Sequence, residues 1–522
     1  MRRLKDFYFT IDLRSLGLFR ILLGWLLIRD WVGRWPNLEA FYTSFGMLPI
    51  EAPLPKAGGI YHFSILDGAV SLPMVQALFG LGLLCYALFL VGYKTKSSHL
   101  FSFVFFASVL NRNIVFRAGN DVVLLTMLMW TLFLPMGKRF SIDAIRSGRR
   151  SLPAADEKTR SEPSLAAFAV VFQVAVIYLQ TAFAKYGSTW TNGTAIYYTM
   201  HADQLVGPVG RWLRTQPLSV LKALTWGALG IEYLAAPLIL LPVAQPLFRR
   251  VAILGLTILQ LGIWLTMRIG DFPIVMMSTS ALLLGEADWD VIRSLSQRWL
   301  RPVIAWRSTQ SGQAVAVSPL GHVWRGGLRR LADVAVLLIL TAILVDSYNI
   351  NMASRFKTKR IPEPAWMRAV ICVPQLVHDW KLFAPDPVRY DGWWVIDGVT
   401  EARESFDPLG NGPTSWEKPR DLSGRYDRFW RKYLARLWRQ DYKEHRRYFA
   451  RYLTRKNHRE KPIGHRLVGF RFYYVRETTP PPGTPEPFAT QRMLLWTHRC
   501  LAESKIPENL KRELKWLYEK RP

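Results

Sequence analysis

The chain has 522 residues, of which 50% are hydrophobic and 20% are charged, and its formal net charge is +29. This composition lies between that of a soluble enzyme and that of a pure membrane bundle. In so hydrophobic a chain the positive excess suits anionic lipid head groups better than nucleic acid, so we expect membrane lipid as a partner and no nucleic acid.

Apolar runs separated by short charged breaks fill the chain up to about residue 350. A run of about 20 apolar residues crosses a hydrocarbon core about 30 Å thick. About nine runs fit this length, with an error of one: 15–34, 73–92, 98–115, 121–136, 165–185, 221–241, 251–267, 273–286 and 331–347. The first run lacks a small-residue cleavage site, so we expect it to stay in the membrane. Residues 1–347 are therefore predicted to form an all-α polytopic membrane bundle.

Lys and Arg are concentrated in alternate loops of this bundle. The rich segments are the amino tail, Lys94 with Lys96, residues 138–160, Arg249 with Arg250, and residues 293–330; the loops between them are poor in positive charge. Cytoplasmic loops carry the excess of Lys and Arg. We therefore predict a multi-pass protein of the cell membrane, with a cytoplasmic amino end and an extracytoplasmic segment from Tyr348 onward.

Three clusters of polar residues lie at or near membrane depth, where an unpartnered polar group costs several kcal/mol. The first comprises Asn111, Arg112, Asn113, Arg117, Asn120 and Asp121. The second comprises Gln173, Tyr178, Gln180, Lys185 and Tyr186, followed by Trp190, Gly193, Thr194, Tyr197 and Tyr198. The third is Glu232 with Tyr233. We expect all three clusters to face one cavity that opens outward.

Each cluster also has a purely structural interpretation. Arg117 and Asp121 are four residues apart and can form a helix-surface ion pair. Lys185 stands at the end of its predicted span, from which a long side chain can reach the membrane interface. Glu232 can form a hydrogen bond with a neighbouring helix.

The segment from residue 348 to residue 522 reads as a smaller α+β domain. Apolar and aromatic residues predict strands at 393–399 and 465–474. The basic stretch 426–452 predicts one or two amphipathic helices, with Phe429, Tyr433, Leu434, Leu437 and Trp438 at helical spacing. Such a helix can pack on the sheet, lie on the membrane surface or grip a substrate. The Pro-rich run 479–487 is predicted to be a loop, and Leu510, Leu514 and Leu517 suggest a closing helix.

The three cysteines allow one disulfide at most within this domain. Cys372 and Cys500 share it and could be linked in an oxidising compartment, whereas Cys85 lies in a predicted span. No pair of cysteines has the spacing of a metal site, and the nine histidines are scattered, so no metal is indicated.

Several motifs taken in order resemble a known family. They are SLGLFRILLG at 15–24, NRN at 111–113 with AGND at 118–121, the stretch 132–143, and YLQTAFAKYGSTWTNG at 178–193. Together they resemble the horizontally transferred transmembrane (HTTM) family, which includes the vitamin K-dependent gamma-glutamyl carboxylases. The similarity spans about residues 10–345. The motifs WKLFAP at 380–385 and DGWW at 391–394 resemble the tails of bacterial members.

The resemblance implies an active site inside the bundle and a reduced, vitamin K-like quinone as cofactor. In the carboxylases the oxygenated hydroquinone removes a proton from the gamma carbon of glutamate, and carbon dioxide then adds. The family's catalytic lysine falls on Lys185. Desolvation disfavours an ammonium ion, so an amine in an apolar pocket can be neutral and accept the hydroquinone proton.

The other site residues follow from the same resemblance. An ungapped placement of the carboxylase histidine falls on Asn120, whose amide can hold a hydrogen bond but cannot exchange a proton near neutral pH. We expect Asn120 to act beside Lys185. The residues expected to orient the bound molecule are Arg117, Asp121, Tyr178, Trp190 and Tyr198.

Three functions are open at this point. The first is a carboxylase-like or other redox enzyme that uses a quinone, with Lys185 as base. The second is a different modification of an extracytoplasmic peptide or protein in the same cavity. The third is a non-catalytic membrane scaffold whose basic outer domain binds a protein partner or anionic lipid.

Overall fold

The computed structural model of the chain describes residues 2–49, 61–147, 160–304, 320–485 and 488–501. The helices are α1 Arg2–Phe9, α2 Leu13–Arg34, α3 Leu38–Tyr42, α4 Leu72–Val91, α5 Thr95–Arg112, α6 Gly119–Thr131, α7 Ile142–Arg146, α8 Leu165–Ala184, α9 Ser188–Thr191, α10 Ala195–Met200, α11 Pro208–Leu213, α12 Leu218–Leu240, α13 Leu247–Thr266, α14 Phe272–Thr279, α15 Glu286–Ile304, α16 Leu320–Ser347, α17 Ala353–Phe356, α18 Ala365–Cys372, α19 Arg428–Leu437 and α20 Lys443–Glu460. The strands are β1 Tyr390–Thr400, β2 Ser405–Phe406, β3 Leu467–Thr478 and β4 Thr490–Arg499.

Four helices in the described part of the chain are long and apolar enough to cross a membrane: α4, α8, α12 and α13. Of their most apolar windows, that of α8 is 67% buried and that of α13 only 17%. Hence α8 lies at the centre of the bundle, while α13 turns most of its apolar surface outward, toward lipid.

The predicted count of nine spans is therefore corrected to four helices that meet both criteria within the described residues. The other predicted spans coincide with helices that are shorter or more charged. Helix α6 has 13 residues, and α14 has eight before it tightens into a 3-10 turn, Ser280–Leu283. Helix α2 is 22 residues long but carries four arginines and an aspartate.

Loops rich and loops poor in positive charge make contacts at opposite ends of the bundle. At one end of the bundle, α2 begins among Lys- and Arg-rich loops: Ser15 Oγ donates to the carbonyl of Leu284 at 2.8 Å, and Arg20 Nη1 donates to that of Met136 at 3.2 Å. At the other end, the C-terminal segment meets the positive-poor loops, where Lys432 Nζ donates to the carbonyl of Phe116 at 3.3 Å. The side of the membrane that each end faces stays a prediction.

The C-terminal segment contains the expected mixture of strands and helices. Its sheet is antiparallel in the order β2-β1-β3-β4, with Trp394 of β1 opposite Tyr474 of β3. Both predicted strands are present: 393–399 lies inside β1, and the strand predicted at 465–474 begins two residues later, at Leu467 of β3. The basic stretch forms two helices, α19 and α20. The run 479–485 has no helix or strand, as predicted, whereas the suggested closing helix lies outside the described residues.

One hydrophobic core joins the bundle to the C-terminal segment. The ring of Phe41 lies 4.4 Å from that of Phe116 and 5.3 Å from that of Trp430, between centroids. Tyr433 of α19 is fully buried beside the same two phenylalanines. The aromatic face of α19 therefore packs against the bundle.

The expected disulfide is not formed. Cys372 ends α18 and Cys500 follows β4, and both are free thiols, as is Cys85. The sulfur of Cys500 instead accepts a hydrogen bond from Thr454 Oγ1 at 3.3 Å.

Candidate functional site

A cavity of about 490 Å³ lies where the bundle meets the C-terminal segment. The polar residues of the bundle that line it include Asn120, Asp121, Tyr178, Lys185, Glu232 and Gln260. The C-terminal segment adds Asp391, Arg428, Arg431, Lys432 and Tyr474. The structure thus brings residues from all three polar clusters of the sequence onto one cavity, together with groups from a fourth region of the chain.

The end of α8 positions Lys185. The helix ends at Ala184, and Ile177, Tyr178, Thr181 and Lys185 follow one another at helical spacing along the cavity wall. Lys185 Nζ lies 2.5 Å from both carboxylate oxygens of Glu232 on α12, and both side chains are buried.

Two neighbours contact this amine. Glu232 forms an ion pair with it, and the ring centroid of Trp190 lies 4.8 Å from Lys185 Nζ. The resemblance implied a solitary amine in an apolar pocket. Lys185 instead has an ionic partner and an aromatic neighbour.

The C-terminal segment clamps the loop that follows Lys185. The amide of Gly187 donates to the carbonyl of Pro385 at 3.0 Å, and the amide of Thr189 donates to Asp386 Oδ1 at 2.8 Å. Trp190 Nε1 donates to the carbonyl of Phe383 at 2.9 Å. The WKLFAP motif and the aspartate after it therefore hold Trp190 against the lysine.

A buried acceptor in the cavity wall has no partner. Gln260 Nε2 on α13 donates to the hydroxyl of Tyr178 at 3.2 Å, while Gln260 Oε1 has no hydrogen bond within the part of the chain that the structure describes. Gln260 is 2% exposed. A buried amide oxygen without a donor costs free energy, and a hydroxyl or amine that reaches it would remove this cost.

Asn120 and Asp121 stand at the beginning of α6. Asp121 Oδ2 accepts from the amide of Ala118 at 2.8 Å, and Asn120 Nδ2 donates to Asp121 Oδ1 at 3.0 Å. The cationic partner of Asp121 is Arg34, at 3.5 Å, and the suggested pair with Arg117 is not formed. Arg117 instead donates to Gln375 Oε1 at 3.0 Å.

Three of the seven predicted site residues lie beside the cavity and do not line it. They are Arg117, Trp190 and Tyr198. The guanidinium carbon of Arg389 lies 4.9 Å from the ring centroid of Tyr198, so this ring supports the segment before β1. Trp190 still contacts the site, through Lys185. Arg117 and Tyr198 contact residues of the C-terminal segment, Gln375 and Arg389.

Sequence reasoning missed two titratable groups in the C-terminal wall. Asp391 Oδ2 accepts from the amide of Gln204 at 2.8 Å, and burial raises the pKa of this carboxyl to about 7. Lys432 has the carbonyl of Phe116 as acceptor, and burial lowers the pKa of its ammonium to about 8. The DGWW motif contains Asp391 and the basic stretch contains Lys432, but nothing in either pattern points into the bundle.

Comparison with protein families gives one match. The model of the HTTM domain matches residues 8–289, which is more than half of the chain. The matched part includes Asn120, Lys185 and Glu232, whereas Asp391 and Lys432 lie beyond it. Neither the comparison with curated proteins nor that with solved structures found a match.

Proposed function

The chain belongs to the HTTM domain family, and from this premise we propose that its cavity binds a reduced quinone and that Lys185 and Glu232 transfer a proton there. The observation that carries the proposal is the buried Lys185–Glu232 pair on the wall of an apolar cavity. A titratable pair in such a place is a candidate acid–base centre.

The residues of the cavity fit a quinone. The volume of the cavity lies within the range of small-molecule pockets, about 300–1,000 Å³. Ile263, Phe272 and Met276 supply apolar surface for the ring and its tail. The unpartnered Gln260 Oε1 can accept a hydrogen bond from a ring hydroxyl. A bound reduced quinone supplies acidic hydroxyl protons and the electrons released by its oxidation.

The side chains around the bound quinone have different roles in the proton transfer. Glu232 takes the proton of the Lys185 ammonium, and the free amine can then accept a proton from a hydroxyl within reach. The ring of Trp190 holds the Lys185 amine in place beside Glu232. Asn120 can only hold a hydrogen bond, because an amide does not exchange a proton near neutral pH.

The substrate of the reaction is proposed to be an extracytoplasmic peptide or protein. Asp391 and Lys432 support this, because they bring two titratable groups of the C-terminal segment to the same cavity. A different extracytoplasmic modification in this cavity uses the same residues. The third possibility, a non-catalytic scaffold, draws support from the completeness of the Lys185–Glu232 ion pair, which needs no ligand to satisfy it.

Mass spectrometry of lipids that copurify with the detergent-extracted protein tests quinone binding. We expect a quinone with the wild-type protein and with the control Lys381→Arg, whose lysine pairs with Asp379 away from the cavity lining. We expect about a tenfold loss of quinone in Gln260→Leu, because its acceptor is gone. Wild-type protein without quinone contradicts the proposal and favours the scaffold.

Replacing Lys185 separates a base from an anchor. Lys185→Arg keeps the ion pair with Glu232, but arginine stays protonated in proteins. We expect Lys185→Arg and Lys185→Ala to be inserted normally and to lose oxidation of an added naphthohydroquinone under dioxygen equally, by about 100-fold. Restored turnover in the arginine variant is the result that removes Lys185 as the base.

A further inference from the structure

A second site lies on α20, away from the cavity. The helix carries five basic residues four positions apart, and all five are exposed: Lys443, Arg447, Arg451, Arg455 and Arg459. Residues at this spacing follow one face of a helix. The opposite face of α20 is buried, with Phe449 and Leu453 in the core. The row of positive charge therefore faces away from the hydrophobic core of the protein.

The C-terminal half of this row borders a groove of about 300 Å³. The residues of the groove that matter here are Glu39, Phe45, Leu72, Arg455, Lys456 and Arg459. The groove therefore lies between α20 and the region where α3 ends and α4 begins.

The groove has an excess of positive charge. Arg459 is neutralised by Glu39, with N–O distances of 2.5 and 3.1 Å. Among the residues that the structure describes, Arg455 donates only to the backbone carbonyls of Phe45, at 2.5 Å, and Gly46, at 3.3 Å. Lys456 has no hydrogen bond or ion pair with any residue that the structure describes. Three cations and the carboxylate of Glu39 thus line the groove, and the excess of two positive charges suits a single anionic group.

The groove also lies at a defined depth. Leu72 is the first residue of α4, one of the four helices able to span a membrane, and α4 exposes Met74, Leu81 and Leu84. The first residue of a span marks the boundary of the hydrocarbon core. Arg455 and Lys456 next to Leu72 therefore stand at the level of the lipid head groups.

An apolar side chain stands beside these charges. Phe45 is 66% exposed although it is a large hydrophobic residue. Aromatic rings at the edge of the hydrocarbon core are typical of membrane interfaces. The groove thus offers charge for a head group and, at Phe45 and Leu72, apolar surface for the start of an acyl chain.

We propose that this groove binds the phosphate group of an anionic membrane lipid, with Arg455 and Lys456 contacting the phosphate and Phe45 and Leu72 contacting the lipid's apolar part. The site does not depend on the quinone proposal, because none of its residues lines the cavity.

Native mass spectrometry of protein released from lipid nanodiscs tests this site. The nanodiscs contain equal amounts of phosphatidylglycerol and phosphatidylcholine, and the variants are Arg455→Gln/Lys456→Gln and Lys443→Gln/Arg447→Gln. Both lose two charges from α20, but only the first pair lines the groove. We expect wild type and control to retain phosphatidylglycerol about tenfold over phosphatidylcholine, and the groove variant to lose this preference.

Three results overturn the proposal. One is a wild-type protein without preference for the anionic lipid. Another is an equal loss in the control, which indicates diffuse surface charge. The third is complete displacement of the lipid by 10 mM inorganic phosphate, or binding of an acidic peptide in its place, which indicates a site for a soluble anion. Arg455→Lys, which keeps the charge, should retain the preference and so excludes misfolding as the cause of a loss.

Discussion

At the scale of single residues, burial and partners decide which groups can exchange protons. Lys185 and Glu232 lie in the same cavity wall as the carboxyl of Asp391, but only the first two neutralise each other. Asp391 is held mainly by the amide of Gln204 and has no cation within ion-pair distance among the described residues. Burial raises the pKa of its carboxyl to about 7, so its protonation should change within the physiological range.

Replacing Asp391 should alter how stability depends on pH. The pKa of its carboxyl is about 7 in the folded chain and near the ordinary 3.8 in an unfolded one. The folded state thus holds a proton that the unfolded state has released between these values, and stability falls as the pH rises from about 4 through 7. We expect thermal unfolding of Asp391→Asn to be less sensitive to pH over this interval than that of the wild type.

A variant of a neighbouring carboxyl provides the control. Asp397 lies on the same strand and pairs with Arg471 at 2.8 Å. Asp397→Asn should keep the wild-type profile between pH 4 and 7. If Asp391→Asn and the wild type lose stability in parallel across that interval, the Asp391 carboxyl is not the group that titrates.

At the scale of elements, short loops between helices position the residues of the site. The bundle helices are long, but Lys185 is fixed by a loop of a few residues that Phe383, Pro385 and Asp386 hold from the C-terminal segment. This clamp requires a residue without a side chain, because a Cβ at Gly187 would lie 2.2 Å from the Asp386 carboxyl.

Gly187→Ala should therefore weaken the protein. The clash forces Asp386 away from Thr189, and overpacking of this kind costs about 1–3 kcal/mol. We expect a lower unfolding temperature in detergent and faster proteolysis of the loop after α8. The matched control is Gly227→Ala on α12, where nothing lies within 4 Å of an added Cβ. Equal unfolding temperatures for the two variants would show that the clamp is unimportant.

At the scale of the whole molecule, the bundle and the C-terminal segment share one core and one cavity. The sequence divided them at residue 347, where the apolar runs end. Phe41 and Phe116 of the bundle pack against Trp430 and Tyr433 of α19, however, and the ion pair of Arg428 with Asp30 crosses the same boundary. The two parts are expected to depend on each other for stability.

Truncation tests this dependence. A chain ending at residue 347 would expose the aromatic surface that α19 covers, so we expect it to aggregate on extraction, as judged by size-exclusion chromatography. Co-expression with residues 348–522 should restore a monodisperse complex, because the shared core is held by non-covalent contacts. A monodisperse 1–347 chain with the unfolding temperature of the full protein would mean that the bundle is independent.

The orientation of the whole molecule can be tested with reporter fusions. Positive charge predicts that the C-terminal segment is extracytoplasmic and that the loop near Arg150, outside the described residues, is cytoplasmic. A reporter fused after Pro522 should be active outside, and one fused near Arg150 should be active inside. Activity on the same side for both would refute the predicted topology.

The sequence by itself indicated a membrane protein of this family, the strands predicted at 393–399 and 465–474, and the polar clusters that meet at one cavity. These features depend on local composition, since run length, alternation and motif order can be read within a few dozen residues. The number of membrane spans was harder to predict from the sequence. The apolar runs at 121–136 and 273–286 predict spans, but turns and 3-10 geometry shorten their helices to 13 and eight residues.

Only the tertiary structure decided which side chains meet. Lys185 and Glu232 are 47 positions apart, and Gln204 reaches Asp391 across 187 positions. It also separated Cys372 from Cys500 as free thiols and directed Arg117 to Gln375. The physical reason is that a buried charge or hydrogen-bonding group takes whichever partner the packing of distant segments brings within reach, and no local pattern records that packing.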